Sequence, residues 1–306
     1  MPTFSIILPC FNAEATIATT LASLTAQTFT DWEAICVDDG STDATVFLIR
    51  SAARRDGRIR LVRNSAKGPS AARNMAALNE ATGDFLAFCD ADDLWVPGKL
   101  NRLRETFGDR SIDAVYGRIG FFNTEPGDTG VTSSVPQGDL TIDMLLGENP
   151  VCTMSNITLR RGVFERTGGF DPAMVHNEDL DWLIRLVGHG ARVVGVDQLH
   201  TWYRTSPGGL STDLAAMAEG RAQALRTAAG LGVRPSRRSH AIHYRYLARR
   251  ALRTAPGRGA ALRLSLSGLL HSPAGFLSPV RRGGLTLGGA FVALMLPRGL
   301  RQSLFS

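Results

Sequence analysis

The chain has 306 residues, 44% of them hydrophobic, enough for one large domain or one domain with an extension. Its four cysteines, Cys10, Cys36, Cys89 and Cys152, form no Cys-x-x-Cys pair, which argues against zinc and for reduced, mostly buried thiols in a cytoplasmic protein. The net charge of +6 is uneven: 15 of the 34 Lys and Arg residues and none of the 28 acids lie beyond Glu219, so the chain carries −9 up to that residue and +15 after it.

The N-terminus has no basic region and too short an apolar run for a signal peptide. Phe4 to Leu8 reads as a compact strand closed by Pro9, and Asn12 to Glu14 as the start of a helix whose face is Ile17, Leu21 and Leu24. Trp32 to Val37 is a second strand. It enters Asp38-Asp39-Gly40-Ser41-Thr42-Asp43, a turn that can also cap the next helix. Ile59 to Val62 is a third strand, followed by Gly68-Pro69-Ser70-Ala71-Ala72-Arg73-Asn74 at the head of an Ala-rich helix ending near Gly83. Phe85 to Cys89 is a fourth strand, ending in Asp90, Asp92 and Asp93, with Pro97 suited to a first helical turn. Strands alternating with helices in this way predict βαβ units and a mostly parallel sheet.

Beyond Leu103 the pattern loosens. Asp113 to Phe122 and Met154 to Leu159 are strand-like, 123–138 is irregular, Asp139 to Leu146 a short helix, and Gly162 to Thr167 a helical turn. Asn177-Glu178-Asp179-Leu180-Asp181-Trp182 opens a helix, and Arg192 to Val196 is a late strand. Past Thr212 the chain reads as helical and basic to about Arg253, then as short Arg-rich amphipathic pieces. None of its apolar runs reaches the roughly 18–20 residues of a spanning helix. The expected division is therefore 1–212 as an α/β domain and 213–306 as a mainly helical basic extension.

Four polar patches thus follow strands: Pro9 to Glu14, Asp38 to Asp43, Gly68 to Asn74 and Asp90 to Asp93. In a parallel sheet they share one rim, the carboxyl ends of the strands, where open α/β sheets bind ligands. Carboxylates in an Asp-x-Asp spacing after a strand are hard oxygen ligands suited to Mg²⁺ or Mn²⁺, metals that share their shell with phosphates.

These patches resemble those of the family 2 glycosyltransferases of the GT-A fold, a mostly parallel Rossmann-like sheet with helices on both faces. The matching pieces are Ile-Ile-Leu-Pro-Cys-Phe-Asn-Ala-Glu, Val-Asp-Asp-Gly-Ser-Thr-Asp, Gly-Pro-Ser-Ala-Ala-Arg-Asn, Asp-Ala-Asp-Asp with Trp95 and Pro97, and Asn-Glu-Asp-Leu-Asp-Trp, together covering about residues 3–211. The resemblance implies an inverting transfer from a nucleotide-diphosphate sugar, a UDP-sugar first, to a hydroxyl on a sugar or lipid-linked acceptor, in cell-surface polysaccharide or glycolipid synthesis. By the same resemblance Pro9, Phe11, Asn12 and Glu14 line the nucleotide pocket, and Asp39 accepts from the imide N–H of a uracil. Arg73 approaches the diphosphate or ribose. Asp90 lies near the ribose and metal, Asp92 ligates the metal, Asp179 is the catalytic base, and Glu178 positions the acceptor or the base. Asp93 is expected to cap a helix, Trp95 to pack, and Trp182 either to pack or to wall the acceptor. Ser206 stands where many relatives have a metal-ligating His, and Arg204 is within reach of a phosphate.

Two other readings share parts of this pattern: a sugar-phosphate nucleotidyltransferase and a non-catalytic nucleotide-sugar binding protein. The first wants a Gly-rich basic loop after strand one, unlike Pro9-Cys10-Phe11-Asn12, and retained Asp179 argues against the second. The basic tail lacks the aromatic interleaving of a nucleic-acid platform, so nucleic acid is not an expected partner. Leucines alternating with arginines from about residue 240 instead suggest peripheral contact with the cytoplasmic face of a membrane, the alternative being that these leucines pack on the catalytic domain or a second subunit.

Overall fold

The computed structural model describes residues 1–174, 176–205, 214–254, 257 and 259–305, without the side chains of 214–218, 298, 302 and 303. Its elements in order are β1 (Phe4–Cys10), α1 (Ile17–Thr25), β2 (Trp32–Asp38), α2 (Thr45–Arg55), β3 (Ile59–Arg63), α3 (Pro69–Met75), β4 (Phe85–Phe88), β5 (Leu94–Trp95), α4 (Lys99–Thr106) and β6 (Ala114–Phe122). There follow α5 (Ile142–Gly147), β7 (Ile157–Arg160), α6 (Arg161–Thr167), α7 (Glu178–Gly188), β8 (Val193–Arg204), α8 (Leu214–Gly230), α9 (Arg237–Thr254), α10 (Ala260–His271), α11 (Pro273–Leu277), α12 (Val280–Met295) and α13 (Arg298–Phe305). The chain divides into two compact units, 1–140 with 150–224, and 141–149 with 225–306. Residues 141–149, inside the range expected for the catalytic domain, belong to the second unit.

The first unit is built on one sheet of order β3-β2-β1-β4-β7-β6-β8-β5. β3, β2, β1 and β4 are parallel, as the alternation of strands and helices predicts. β7 then runs antiparallel to β4 and to β6, β8 runs parallel to β6, and β5 antiparallel to β8. This α/β sheet is therefore parallel in its first half and mixed in its second. Phe4, Ile6, Ile7 and Leu8 of β1 have no exposed surface, the mark of a strand covered on both faces. Each such side chain contributes about 1.5–3 kcal/mol by burial.

Local boundaries depart from the sequence reading for identifiable reasons. α1 begins at Ile17, not at Asn12 to Glu14, because those residues are tied to the loop after β2. The Ala-rich helix after Gly68 closes with a π turn over Ala76–Glu80. Met154–Asn156 is a 3₁₀ turn ahead of β7, and β8 extends to Arg204 because it pairs with β6 as far as Phe122.

In the second unit, α9 packs against α5, α10, α11, α12 and α13. Ala251, Leu252, Ala261, Ala290 and Ala293 form a small buried cluster there. Small residues let these helices approach closely.

Candidate active site

The loops after β1 and β2 lock together. Asn12, at φ 47°, accepts at Oδ1 from the Thr42 N–H (2.9 Å) and donates its own N–H to Ser41 Oγ (3.0 Å). Glu14 accepts at Oε2 from the Ala44 N–H (2.9 Å), and its N–H donates to Asp43 Oδ2 (3.0 Å). The side chains of Asn12 and Glu14 thus serve the loop itself, whereas Phe11 is 58% exposed, an aromatic face open on the rim beside Pro9. Asp38 accepts from the N–H groups of Gly40 and Ser41, closing the turn. Asp39 is held from the next loop: Oδ1 accepts from Asn64 Nδ2 (2.7 Å), Oδ2 from the Gly68 N–H (3.0 Å), and its carbonyl from Lys67 Nζ. A carboxylate has about four lone-pair sites, so Asp39 keeps capacity for one more donor.

α3 delivers Arg73 to the centre. Its side chain is buried, with Nη2 donating to Asp90 Oδ1 at 2.7 Å and Nη1 to Glu178 Oε1 at 3.2 Å. Burial opposes its charge, but Asp90 and Glu178 outweigh that and raise its pKa above the usual arginine value. The Arg73 guanidinium also stands 5.6 Å from the Phe170 ring centroid.

β4 ends at Phe88 and releases the acidic loop. The Asp90 N–H donates to Ser155 Oγ (2.8 Å), and Thr153 Oγ1 lies 3.2 Å from Asp90 Oδ2 and 3.4 Å from Asp93 Oδ2. Burial, and then the Asp90 charge, push Asp92 up to about 6. Asp93 does not cap a helix. It is wholly buried, accepts from the Arg204 N–H at 3.0 Å, and is pushed well above the carboxylate range by burial, then by Asp90 and Asp92. Arg204 donates from Nε to the Asp92 carbonyl (3.0 Å) and lies 4.5 Å from the Phe122 ring centroid.

The loop before α7 brings the last pair. Asn177 turns the chain at φ 58°, and Gly220 of α8 sits so close that an added Cβ would lie 2.7 Å from Asn177 Nδ2 and from the His176 carbonyl. Glu178 reaches Arg73. Burial, and then Glu178, push Asp179 up to about 7. Asp181 pairs instead with Arg185 one turn on (3.0 Å). Trp182 packs among Phe88, Phe164 and Phe170, with Nε1 donating to Thr167 Oγ1, so of its two expected roles it takes packing. His200 is buried, and burial lowers its pKa to about 3, which keeps it neutral. Ser206 lies outside the described residues.

The sequence reading did not single out Thr153, Ser155 or Lys99. Ser155 is buried, and its carbonyl accepts from Lys99 Nζ (2.7 Å), Trp95 Nε1 (3.0 Å) and Thr201 Oγ1 (2.9 Å). Burial lowers Lys99 to about 7, against the pull of Cys89 and Asp93. The packing of β7 beside β4 brings Thr153 and Ser155 behind Asp90, Lys99 meets them from the start of α4, and no local motif carries that signal.

Among the described residues no three His, Cys, Asp or Glu side chains converge as a metal cage. The donor chemistry nonetheless fits a hard divalent cation. Asp92 is in no ion pair among the described residues, and its raised pKa reflects burial and an adjacent negative charge that a cation would offset. Two carboxylates with the remaining shell left to water and phosphate is a usual Mg²⁺ arrangement.

A profile of the family described as "Glycosyl transferase family 2" matches residues 5–168, more than half of the chain. Among curated proteins, the chain is 33% identical over 213 residues to the UDP-Glc:alpha-D-GlcNAc-diphosphoundecaprenol beta-1,3-glucosyltransferase WfgD of Escherichia coli, covering 68% of this chain and 79% of that one. It is 28% identical to WfaP of the same organism, which bears the same activity name, over 70% of this chain and 81% of that one. Among solved structures, S. aureus TarS 1-349 in complex with UDP-GlcNAc aligns over 99% of this chain and 90% of its own, with TM-score 0.64 and 18% identity. The Pyrobaculum calidifontis mannosyltransferase PcManGT in complex with GDP-Man and Mn²⁺ aligns over 99% and 84%, with TM-score 0.61 and 20% identity. The structures share the GT-A fold, the profile spans the loops and helix that carry Asp39, Arg73, Asp90 and Asp92, and the chain belongs to glycosyl transferase family 2 as a glycosyltransferase enzyme.

Proposed function

We propose that the enzyme is an inverting glycosyltransferase that takes a sugar from a UDP-sugar and gives it to a hydroxyl of a lipid-linked acceptor, in the assembly of a cell-surface polysaccharide or glycolipid. The observation that carries the site reading is Arg73, buried and joined to both Asp90 and Glu178. It links a strand-end loop of the nucleotide half of the sheet to the acidic start of α7. The choice of UDP and of a diphosphate-lipid acceptor is supported by the names of WfgD and WfaP.

In this reading Asp39 accepts from the imide N–H of uracil, with Phe11 and Pro9 beside the base. Asn12 and Glu14 act by fixing the two loops that shape the pocket. Asp90 and Asp92 would hold Mg²⁺ or Mn²⁺, which when bound supplies positive charge for the departing nucleoside diphosphate. Arg204, anchored on the Asp92 carbonyl, brings a second cation to the same side. The acceptor oxygen attacks the anomeric carbon and its proton passes to the Asp179 carboxylate. The bond from the anomeric carbon to the diphosphate oxygen breaks, and its electron pair leaves with UDP. A base pushed up to about 7 is matched to neutral conditions. Glu178, fixed by Arg73, positions Asp179 and raises its basicity.

The second unit supports contact with the cytoplasmic face of a membrane. On α12, Arg281, Leu285, Val292 and Met295 fall on one stripe, and Leu285 and Met295 are 66% and 88% exposed. Gly283, Thr286, Ala290 and Ala293 are buried on the opposite side. No helix of the described residues is long and apolar enough to cross a membrane, so the stripe would rest in the headgroup region. Nucleic acid is not part of this proposal.

A donor screen for nucleoside diphosphate release, run with lipid-diphosphate and soluble acceptors, tests the proposal. UDP-sugars are expected to turn over, with activity lost on chelation and in Asp92→Ala. Turnover of GDP-sugars alone would overturn the donor assignment. Full activity of Asp92→Ala in chelator would overturn the metal assignment.

A further inference from the structure

We infer that the second unit carries a binding site for a phosphate-class anion, made by Arg249 and Arg282 around Glu148, with Arg253 beside Arg249. The source of the anion, a lipid phosphate or a soluble phosphate, rests on the membrane reading above; the site itself does not.

Glu148 is the hub. Its carboxylate takes Arg245 Nη2 at 3.5 Å, Arg249 Nη1 at 3.3 Å and Arg282 Nη1 at 3.6 Å. Three guanidinium groups share one carboxylate, and every contact is long. Arg245 is spent on structure: it is 3% exposed and donates to the carbonyls of Gly275, Phe276 and Ser278. Arg249 and Arg282 are different. Each makes one loose contact with Glu148 and keeps about a third of its side chain in solvent, at 33% and 32%. A guanidinium has five N–H donors, so most of theirs remain open.

Helical geometry makes the excess charge deliberate in its placing. Arg245, Arg249 and Arg253 stand at i, i+4 and i+8 on α9, one above the other, a spacing at which like charges repel. Arg282 faces them from α12. Burial depresses the Arg249 pKa; Glu148 opposes that, and Arg282 and Arg253 add to the depression. Three cations on one carboxylate, with Arg253 adding to the charge on Arg249, leave a surplus that a tetrahedral oxyanion would satisfy. Arginine forks suit phosphate oxygens through paired N–H donors. These residues belong to the second unit, whereas Arg73, Asp90, Asp92 and Asp179 belong to the first.

The test uses the full chain, with inorganic pyrophosphate in chelator as the probe and calorimetry as the readout. Arg249→Gln/Arg282→Gln is compared with Arg234→Gln/Arg263→Gln, which removes the same charge at exposed positions outside the cluster. The cluster variant is expected to bind pyrophosphate at least about tenfold more weakly, and the control variant within about twofold of the parent. Equal loss in both variants, or no binding by the parent, would overturn the site. Should the cluster variant unfold, Glu148→Gln keeps the question open to measurement. An anion site gains affinity when its internal counter-charge is removed, and phosphate then raises Tm by more than in the parent. A lower Tm with no added phosphate response would show Glu148 and its arginines to be scaffold only, and the proposal would fall. Sedimentation with phosphatidylglycerol vesicles against phosphatidylcholine vesicles separates the sources. Loss of phosphatidylglycerol binding in the cluster variant assigns the site to lipid phosphate. Unchanged recovery, with pyrophosphate binding lost, keeps the site and assigns it to soluble phosphate.

Discussion

Arg73 and Glu178, 105 residues apart in the chain, meet through Nη1 and Oε1 at 3.2 Å, while the other terminal nitrogen of Arg73 holds Asp90 at 2.7 Å. One buried cation thereby sets the spacing between the loop that follows β4 and the start of α7. The flanking carboxylates include Asp92, Asp93 and Asp179, all with raised pKa values. Removing the cation leaves that negative charge buried without its partner.

Arg73→Ala is therefore expected to lower kcat/KM by at least about 10²-fold and to reduce stability by about 3–5 kcal/mol, the usual cost of breaking a buried ion pair from one side. Arg73→Lys keeps the charge but cannot span both carboxylates with one rigid fork. It is expected to recover stability more than activity. Steady-state kinetics and thermal denaturation of the two variants check this, and equal recovery of both would show that Arg73 acts through charge alone.

Asp179→Asn is expected to cut turnover by about 10²–10⁴-fold with donor affinity little changed, as for loss of a general base. The parent enzyme should show an acidic limb in kcat/KM near pH 7, activity rising as the carboxylate ionises. Stability moves the other way. The folded-state pKa lies above the unfolded value, so the unfolded chain releases this proton first, and the group weakens the fold as pH rises from about 4 to about 7. Asp179→Asn should accordingly melt higher than the parent at pH 8, and this advantage should vanish near pH 4. A kcat/KM limb that stays near pH 7 in Asp179→Asn would assign the titration to another group.

Much of this half of the protein was legible in the sequence because its signals are local. The four parallel strands are continuous apolar runs, each followed by a polar loop, and β1 to β4 fall where those runs lie. Asp39, Arg73, Asp90, Asp92, Glu178 and Asp179 stand on loops or helix starts that the pattern marks. The partition of labour within the loops was less legible. Whether Asn12 and Glu14 point at a ligand or at the backbone of Thr42 and Ala44 depends on a contact about thirty residues away. Asp93 is the sharper case: Asp before a helix reads as a cap, yet β8 reaches across and offers it the Arg204 N–H. The attachment of 141–149 to the helical unit rests on Glu148 and on Asp143, which accepts from Ser236 across 93 residues. No period in the sequence encodes that.

The layer behind Asp90 yields a prediction of its own. Thr153 Oγ1 joins Asp90 and Asp93 and also accepts the Ser155 N–H at 3.2 Å. Thr153→Val preserves shape and removes the hydroxyl. A hydrogen bond to a charged group contributes about 1.5–3 kcal/mol, so about 10–100-fold in metal-dependent UDP affinity is expected to be lost. Thr153→Ser restores the hydroxyl and should restore most of the affinity. Calorimetric titration of UDP with Mn²⁺ in the three proteins measures it. A serine variant no better than the valine one would mean that Thr153 serves packing.

The apolar stripe on α12 gives the last prediction. Leu285 and Val292 lie two turns apart on the exposed side of that helix, opposite its buried small residues, so charge placed there does not enter the unit's core. Stopping the chain ahead of α9 would be a poor test, because 141–149 packs within the helical unit and would lose its partners. Leu285→Glu/Val292→Glu avoids this. It removes two apolar anchors and adds two negative charges, while each Lys or Arg near an anionic surface contributes about 1 kcal/mol and a buried Leu side chain about 1.5–3 kcal/mol. The parent should sediment with phosphatidylglycerol vesicles at low salt and partly at high salt, since the apolar share of the binding is not screened. The double variant should remain in the supernatant at both, with UDP-sugar hydrolysis in the absence of acceptor unchanged and transfer to a lipid-diphosphate acceptor in vesicles reduced. Equal sedimentation of parent and variant would show that the stripe does not meet the bilayer, and transfer reduced only with a detergent-soluble acceptor would place its effect inside the enzyme.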